Sequence, residues 1–216
     1  MSDCGCHIEI QDKTQRHVLY WLLGINTAMF VFEIGLGWYA ESTALIADAL
    51  DMLADAVVYG IGLYAVGRAL ADKARAARLS GYFQFGLACL ILIDIARRTL
   101  FGSEPVSLFM ISVGSLALLA NLTCLALIYK HREGEVHMRA SWIFSANDVL
   151  ANLGVILGGL LVMWLDNRWP DLMIGVLILL LILRGARMIL ADARNELACA
   201  TADNGSCHPT IPEREL

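Results

Sequence analysis

The sequence predicts an all-α membrane protein, a bundle of six transmembrane helices with both termini in the cytoplasm. The 216 residues are 58% hydrophobic and their mean hydropathy is +0.62, which is too apolar for a soluble domain of this length. Six apolar segments are each long enough to cross about 30 Å of hydrocarbon at about 1.5 Å per residue. No regular strand alternation occurs in or between these segments.

The six segments differ in how many charged residues they contain near their ends. The third carries Asp94, Arg97 and Arg98 close to its end. The sixth carries Arg184 and Arg187. We interpret these basic residues as interfacial or snorkelling side chains, so the ends of the third and sixth spans are only approximately defined. The predicted spans are residues 18–40, 43–66, 81–100, 106–129, 140–165 and 172–190.

The distribution of basic residues predicts the orientation and the division of the chain. Of the 16 Lys and Arg residues, 13 fall on the side of the termini and 3 on the other side, which predicts cytoplasmic termini in a multi-pass protein of the plasma (inner) membrane. Residues 1–17 are polar and precede a full-length span, so they are not read as a cleavable signal peptide. We therefore expect a cytoplasmic tail over 1–17, a membrane domain over 18–194 and a short, disordered cytoplasmic tail over 195–216.

The second segment carries three aspartates, Asp48, Asp51 and Asp55. On a helix they point to one side, within about 60° of one another. Each carboxylate at the bilayer centre costs about 2.5–3.5 kcal/mol on insertion scales. The three side chains are therefore predicted to face something positive: a metal cation, protons or a basic partner.

The fifth segment has a polar stripe of the same kind. Ser141, Ser145, Asp148 and Asn152 are spaced to share one helix face. No basic residue is available at matching depth, so we interpret Asp148, like the second-segment aspartates 51 and 55, as functional. For the two serines, hydrogen bonding between helices is the favoured interpretation.

The first and fourth segments contain isolated polar residues. Asn26 and Asn121 are expected to hydrogen-bond between helices at about 0.6 kcal/mol each. Two interpretations stay open for Glu33 and for Asp48. Either carboxyl group is protonated and structural, or it belongs to a water-filled access route.

The stretch Ser42–Asp55 resembles the second-span signature of the cation diffusion facilitators: Ser, small and aliphatic residues, Ala-Asp-Ala, then His or Asp, three residues and Asp. The resemblance extends over about residues 18–195. It implies that Asp51 and Asp55 are metal ligands and that Asp148 joins them from the fifth span, their oxygens converging on one ion. Three other residues also resemble family positions: Glu33, Asn121 and Asp171. Such proteins export divalent metals from the cytoplasm in exchange for protons, as homodimers, by alternating access.

Two departures from the family pattern affect the predicted site and assembly. Where the family has His or Asp four residues before the Asp matched by Asp148, this chain has Phe144, which cannot ligate. We expect Asn152, one turn further along the same face, to supply the fourth ligand, with Ser145 or water as alternatives. The family also ends in a folded cytoplasmic domain, and we expect this chain to be a short member without it.

An oxygen-rich site without histidine suits harder ions such as Mn²⁺ or Fe²⁺. Zn²⁺ also accepts carboxylates, and the resemblance favours Zn²⁺ or Cd²⁺ as transported ion. The tails contain Cys4, Cys6, His7, Cys207 and His208, which either gather metal or are incidental thiols and imidazoles. Apart from the transported ion, no cofactor is expected.

The expected partners are divalent metal ions, protons, the lipid bilayer and a second copy of the chain. Nucleic acid is not expected, because basic patches are absent. Catalysis is not expected either, since the spans contain no histidine and no nucleophile–base pair. Two rival functions stay open: a non-transporting subunit of a complete transporter, and a proton-coupled exporter of a small organic cation.

Overall fold

The computed structural model describes the backbone of residues 4–65, 70–129 and 136–201, and the side chains of residues 16–64, 74–129, 145–195 and 197. All regular structure in these ranges is α-helical, which confirms the predicted all-α fold. The helices are α1 (Cys4–Tyr39), α2 (Thr43–Ala65), α3 (Leu70–Phe101), α4 (Ser107–Tyr129), α5 (Val136–Leu165) and α6 (Trp169–Thr201).

Five of the six helices are long and apolar enough to cross a membrane. These spans are Arg16–Tyr39, Ala74–Phe101, Ser107–Tyr129, Ser145–Leu165 and Trp169–Asn195. The helix outside this group is α2, 23 residues long, because it carries three aspartates. It lies inside the bundle, where it contacts each of the other five helices. This central position keeps α2 away from lipid and allows it to carry charged groups.

Three short connections, residues 40–42, 102–106 and 166–168, meet at one end of the bundle, here called the short-loop end. The amide of Val106 donates to the carbonyl of Ala40 at 3.0 Å, which joins two of them. The first connection contains Glu41 in the left-handed conformation, with φ of 49°. The amide of Ser42 then donates to the carbonyl of Gly37 at 3.1 Å, which closes the end of α1 and turns the chain into α2.

Arg98 lies three residues before the end of α3, but its side chain does not snorkel toward water. Its side chain is buried, with 2% of its surface exposed. Its Nε donates to Oδ2 of Asp94 at 2.7 Å, and its guanidinium also donates to the carbonyl of Glu41. The snorkelling alternative was wrong because Asp94, one helical turn earlier, supplies the counter-charge that a buried guanidinium requires.

The helices pack most extensively in the pairs α3–α6, α1–α2 and α4–α5. Small residues allow some of these close approaches. At Gly159 of α5, an added Cβ would lie 2.9 Å from the Cβ of Met110 on α4, closer than side chains normally approach. α6 continues past residue 194 to Thr201, and α1 begins at Cys4.

Candidate metal site

The three aspartates of α2 lie on its buried side. Asp48 is 1% exposed and Asp55 is 5% exposed, whereas Asp51 is partly buried. At about 1.5 Å per residue, Asp55 lies roughly 18 Å along α2 from Thr43. This distance is comparable with half the thickness of a hydrocarbon layer, which is about 30 Å.

Asp55 meets Asp148 across the interface between α2 and α5. Their carboxyl groups face each other within hydrogen-bonding reach. Two negative charges at this separation repel strongly in a buried setting, so a proton or a cation has to lie between them. Tyr59, one turn further along α2, donates its hydroxyl to Oδ2 of Asp55 at 3.2 Å.

Asn152 is fully buried on α5, one turn beyond Asp148. Its Nδ2 donates to the backbone carbonyl of Asp148 at 2.8 Å, which fixes the orientation of the amide. Its Oδ1 is buried and accepts no hydrogen bond from the described residues. Burying an oxygen without a hydrogen bond costs free energy, and this oxygen has its lone pairs available to coordinate a cation.

A second carboxyl pair is formed by Glu33 of α1 and Asp48 of α2, which interact directly. Glu33 is completely buried. Within the described part of the chain, neither of its carboxyl oxygens nor Oδ2 of Asp48 has a hydrogen-bond donor. This geometry fits both interpretations made from the sequence, a protonated structural pair and a stage of an access route.

The predicted ligands are thus brought together in part. Asp55 and Asp148 pair directly, while Asp51 is close enough to interact electrostatically with both of them. In the described ranges, however, no group of three or more His, Cys, Asp or Glu side chains has the arrangement of a metal site. Binding of one ion by Asp51, Asp55, Asp148 and Asn152 together therefore stays a prediction.

Several polar residues were predicted to hydrogen-bond between helices. Asn26 does contact another helix, since its Nδ2 donates to Sγ of Cys124 at 3.8 Å and to the carbonyl of Leu22 at 2.9 Å. Asn121 and Ser145 are buried too, but their side chains have no hydrogen-bond partner among the described residues.

Two functional features were missed by the sequence analysis. The hydrogen bond from Tyr59 to Asp55 follows the i, i+4 spacing, so the spacing itself was the available signal. The other is the contact that Asp171, named from the sequence only as a family position, makes from α6 with the start of α2, 129 residues away from Ser42 along the chain. No local sequence pattern predicts a contact between residues so far apart in the chain.

Some predicted features lie outside the described side chains. These are Phe144 and Ser141 in the first part of α5, and the cysteine- and histidine-bearing tail residues 4, 6, 7, 199, 207 and 208.

Comparison with known proteins identifies a family over most of the chain. Residues 19–198 match the family described as the cation efflux transmembrane domain. The match includes α2, the paired aspartates and Asp171.

Individual curated relatives are named as metal transporters and share 24–28% identity with this chain. The zinc transporter ZitB of Yersinia pestis is 28% identical over 202 residues, which cover 87% of this chain and 64% of the relative. ZitB of Escherichia coli strain K12 is 26% identical over 200 residues, with the same coverage of 87% and 64%. The cadmium, cobalt and zinc/H(+)-K(+) antiporter of Bacillus subtilis strain 168 is 24% identical over 213 residues, 92% of this chain and 68% of the relative. The chain thus spans about two thirds of the length of the curated relatives it matches.

Proposed function

The chain belongs to the cation efflux family, and we propose that it exports a divalent metal cation, Zn²⁺ or Cd²⁺ foremost, in exchange for protons. The observation that carries this proposal is the pair formed by Asp55 and Asp148 at mid-membrane depth. Two carboxyl groups in contact, one buried and one partly buried, need a cation or a proton between them. Exchange of one for the other is the chemistry of a proton-coupled metal transporter. The protein is a transporter in this proposal and catalyses no covalent reaction.

The proposed ligands are Asp51, Asp55, Asp148 and Asn152. Asp55 and Asp148 form the core of the site, and the unpaired Oδ1 of Asn152 supports its assignment as an oxygen donor. Asp51 would complete the site by a modest movement of α2 toward α5. Tyr59 holds the carboxylate of Asp55 in place through its hydroxyl.

Protonation would drive release. Carboxylates bind a metal when they are deprotonated and lose it when they are protonated. Opening toward an acidic exterior would protonate Asp55 or Asp148 and eject the ion, and opening toward the cytoplasm would reverse this. The name of the Bacillus subtilis relative, an antiporter that exchanges metal for H⁺ and K⁺, supports coupling of this kind.

The orientation and the assembly are part of the proposal. Both termini would lie in the cytoplasm, with the membrane domain over residues 18–194 flanked by tails at 1–17 and 195–216. The short-loop end carries only a few of the basic residues, Arg97, Arg98 and Arg168. Because basic residues are enriched on the cytoplasmic side, this agrees with an exterior location for that end. The location would be the plasma (inner) membrane and the assembly a homodimer formed through membrane helices.

The rival proposal, a non-transporting subunit, is favoured by one observation. Among the described residues, direct contacts join the carboxylates two by two, and no three of them have the arrangement of a metal site. A subunit that had lost transport would retain the fold and lose the ligand set. An exporter of small organic cations would also use buried carboxylates, but would not require a compact set of oxygens.

Purified protein reconstituted in liposomes would separate these three functions. We expect Zn²⁺ uptake accompanied by proton movement in the opposite direction, both measured with trapped fluorescent indicators. Asp55→Asn and Asp148→Asn should each lower Zn²⁺ uptake at least 100-fold with no loss of folded protein, since each removes a charge from within the membrane domain. The matched control is Asp166→Asn, which changes an exposed aspartate of the short-loop end and should transport like wild type.

The outcomes point to different conclusions. Wild-type protein that moves no metal by itself would favour the subunit, and proton movement driven by an organic cation but not by Zn²⁺ would favour the organic-cation exporter. Undiminished Zn²⁺ uptake by Asp55→Asn or Asp148→Asn would refute the site.

A further inference from the structure

The start of α2 is held by a carboxylate from another helix. Asp171, completely buried at the beginning of α6, accepts a hydrogen bond from Ser42 Oγ at 2.6 Å on Oδ1. It also accepts from the backbone amides of Thr43 at 2.8 Å and Ala44 at 3.0 Å. Ser42 Oγ in turn accepts from the amide of Leu45 at 3.1 Å. The first-turn amides, which a helix cannot bond internally, are thus satisfied by the side chains of Asp171 and Ser42.

The same turn of α2 is joined to α3. Thr43 Oγ1 donates to Oδ2 of Asp94 at 3.2 Å, and Arg98 Nε donates to that same oxygen at 2.7 Å. Arg98 also donates to the carbonyl of Glu41, immediately before α2. The helices α3 and α6 also pack extensively on each other. The first turn of α2 is therefore hydrogen-bonded to two helices that are themselves packed together.

The backbones of α2 and α6 approach closely at this place. Gly175 of α6 lies one turn after Asp171, and a Cβ added to it would be 2.6 Å from Thr43 Cγ2 and 3.4 Å from Thr43 Cβ. With Thr43 in place, any larger residue at position 175 would require the side chain of Thr43 or one of the two helices to move. Side-chain hydrogen bonds and close packing therefore both hold the first turn of α2 against α6.

We propose that this first turn is a fixed pivot for α2 during transport, and that Asp171 is the positioning residue that holds it. The inference rests on the transport function proposed above. At about 1.5 Å per residue, Asp48 lies roughly 7.5 Å and Asp55 roughly 18 Å from Thr43. A tilt of roughly 10° about the pivot would move Asp55 by about 3 Å and Asp48 by about 1 Å, on simple lever geometry along the helix.

The pivot explains why the two carboxyl pairs would behave differently. The pair Asp55–Asp148, far from the pivot, would open and close with the tilt. The pair Glu33–Asp48, near the pivot, would stay together. Transport would then alter the metal site while the short-loop end of α2 stays attached to α3 and α6.

A reversible disulfide tests whether the pivot stays closed. In the double variant Thr43→Cys, Gly175→Cys, the two Cβ atoms would lie 3.4 Å apart, just below the usual disulfide range of about 3.5–4.5 Å. We expect the oxidised and the reduced forms of this one protein to transport Zn²⁺ into liposomes at rates within about twofold of each other. Wild-type protein given the same oxidant is the control, because the chain has six cysteines of its own.

The outcomes separate the pivot from the transport function. If oxidation stops transport by the double variant and a reductant restores it, α2 must leave α6 and the pivot is refuted, while the transport function stands. If wild-type protein moves no metal, the transport function fails and the pivot falls with it.

A second measurement addresses Asp171 itself. Asp171→Ala should lower the maximal transport rate at least tenfold and leave the Zn²⁺ dissociation constant, measured by calorimetry, within about threefold of wild type. Asp171→Asn, which keeps one acceptor oxygen for the amides of α2, should recover part of the rate. Equal loss of rate in Asp171→Asn and Asp171→Ala, or a dissociation constant that rises in step with the loss of rate, would refute the positioning role. The disulfide test stands if Asp171→Ala does not fold.

Discussion

The hydroxyl of Tyr59 donates to Oδ2 of Asp55 at 3.2 Å, from one turn further along α2. Tyr59 is itself buried, 2% exposed, so this hydrogen bond is shielded from competing water. The bond stabilises the carboxylate form of Asp55 and restricts its rotation. Both effects favour metal binding, since a ligand oxygen that is already oriented loses less conformational freedom when the ion binds.

Tyr59→Phe should therefore weaken Zn²⁺ binding without disturbing the fold. We expect the dissociation constant to rise about fivefold, which corresponds to about 1 kcal/mol for one hydrogen bond. Calorimetry in detergent measures it directly. Tyr20→Phe, an exposed tyrosine of α1, is the matched control and should bind like wild type. Wild-type affinity in Tyr59→Phe would remove Tyr59 from the description of the site.

The helix boundaries show where sequence reasoning works and where it stops. At the short-loop end, predicted span limits at 40, 43, 100 and 165 lie within one residue of the observed helix ends at Tyr39, Thr43, Phe101 and Leu165. There the apolar segment and the helix end together, because a tight turn follows directly. At the other end, α3 begins at Leu70 instead of residue 81, and α6 ends at Thr201 instead of residue 190. Helical hydrogen bonding continues there after the apolar residues have given way to charged ones, and hydropathy does not report it.

The site shows a similar division. Helical periodicity was sufficient to predict that Asp48, Asp51 and Asp55 share one face of α2, because that depends on local geometry alone. It did not predict that Asp55 would pair with Asp148 more closely than Asp51 does, since this depends on the axial register of α2 against α5. Register is decided by packing and by long-range contacts such as that of Asp171 with the start of α2.

Arg98 should be a major determinant of stability at the short-loop end. Arg98→Ala would leave the partly buried carboxylate of Asp94 without its closest counter-charge and the carbonyl of Glu41 without that donor. The free energy of unfolding should fall by about 3–5 kcal/mol, as for other buried pairs that lose one partner. Denaturant titration in detergent micelles measures this change.

Arg97→Ala is the matched control for Arg98→Ala. Arg97 contacts the same Asp94, at 3.2 Å, but its side chain is 52% exposed. Its removal should cost less than about 1 kcal/mol, as expected for a surface ion pair. Equal effects of the two substitutions would mean that burial of Arg98 contributes nothing to the strength of its pair.

Of the two interpretations of the tail cysteines, metal gathering and incidental thiols, the first predicts that they bind metal without taking part in its movement. Replacement of Cys4, Cys6 and Cys207 together by Ser should raise the apparent KM for Zn²⁺ about two- to fivefold and leave kcat nearly intact, the signature of lost uniform binding. Substitution is preferable to truncation, because α1 begins at Cys4 and deletion would shorten that helix. Cys89→Ser, an exposed position on α3, is the control. A collapse of the maximal rate, with normal membrane insertion, would assign the tails to the transport machinery instead.

Metal preference should depend on the fourth ligand, which the chain is expected to take from Asn152 because Phe144 has no donor atom. Asn152→Ala removes the buried Oδ1 and should weaken Zn²⁺ and Mn²⁺ binding alike, by about tenfold, as one of four ligands is lost. Phe144→His adds an imidazole nitrogen, a donor that suits Zn²⁺ better than Mn²⁺, and should shift the ratio of the two affinities toward Zn²⁺. Competition calorimetry with both metals measures that ratio. Asn152→Asp serves as the matched control, because it keeps an oxygen at the same place and should retain binding. If Phe144→His leaves the ratio unchanged and Asn152→Ala binds both metals like wild type, the oxygen of Asn152 is not a ligand and position 144 does not face the ion.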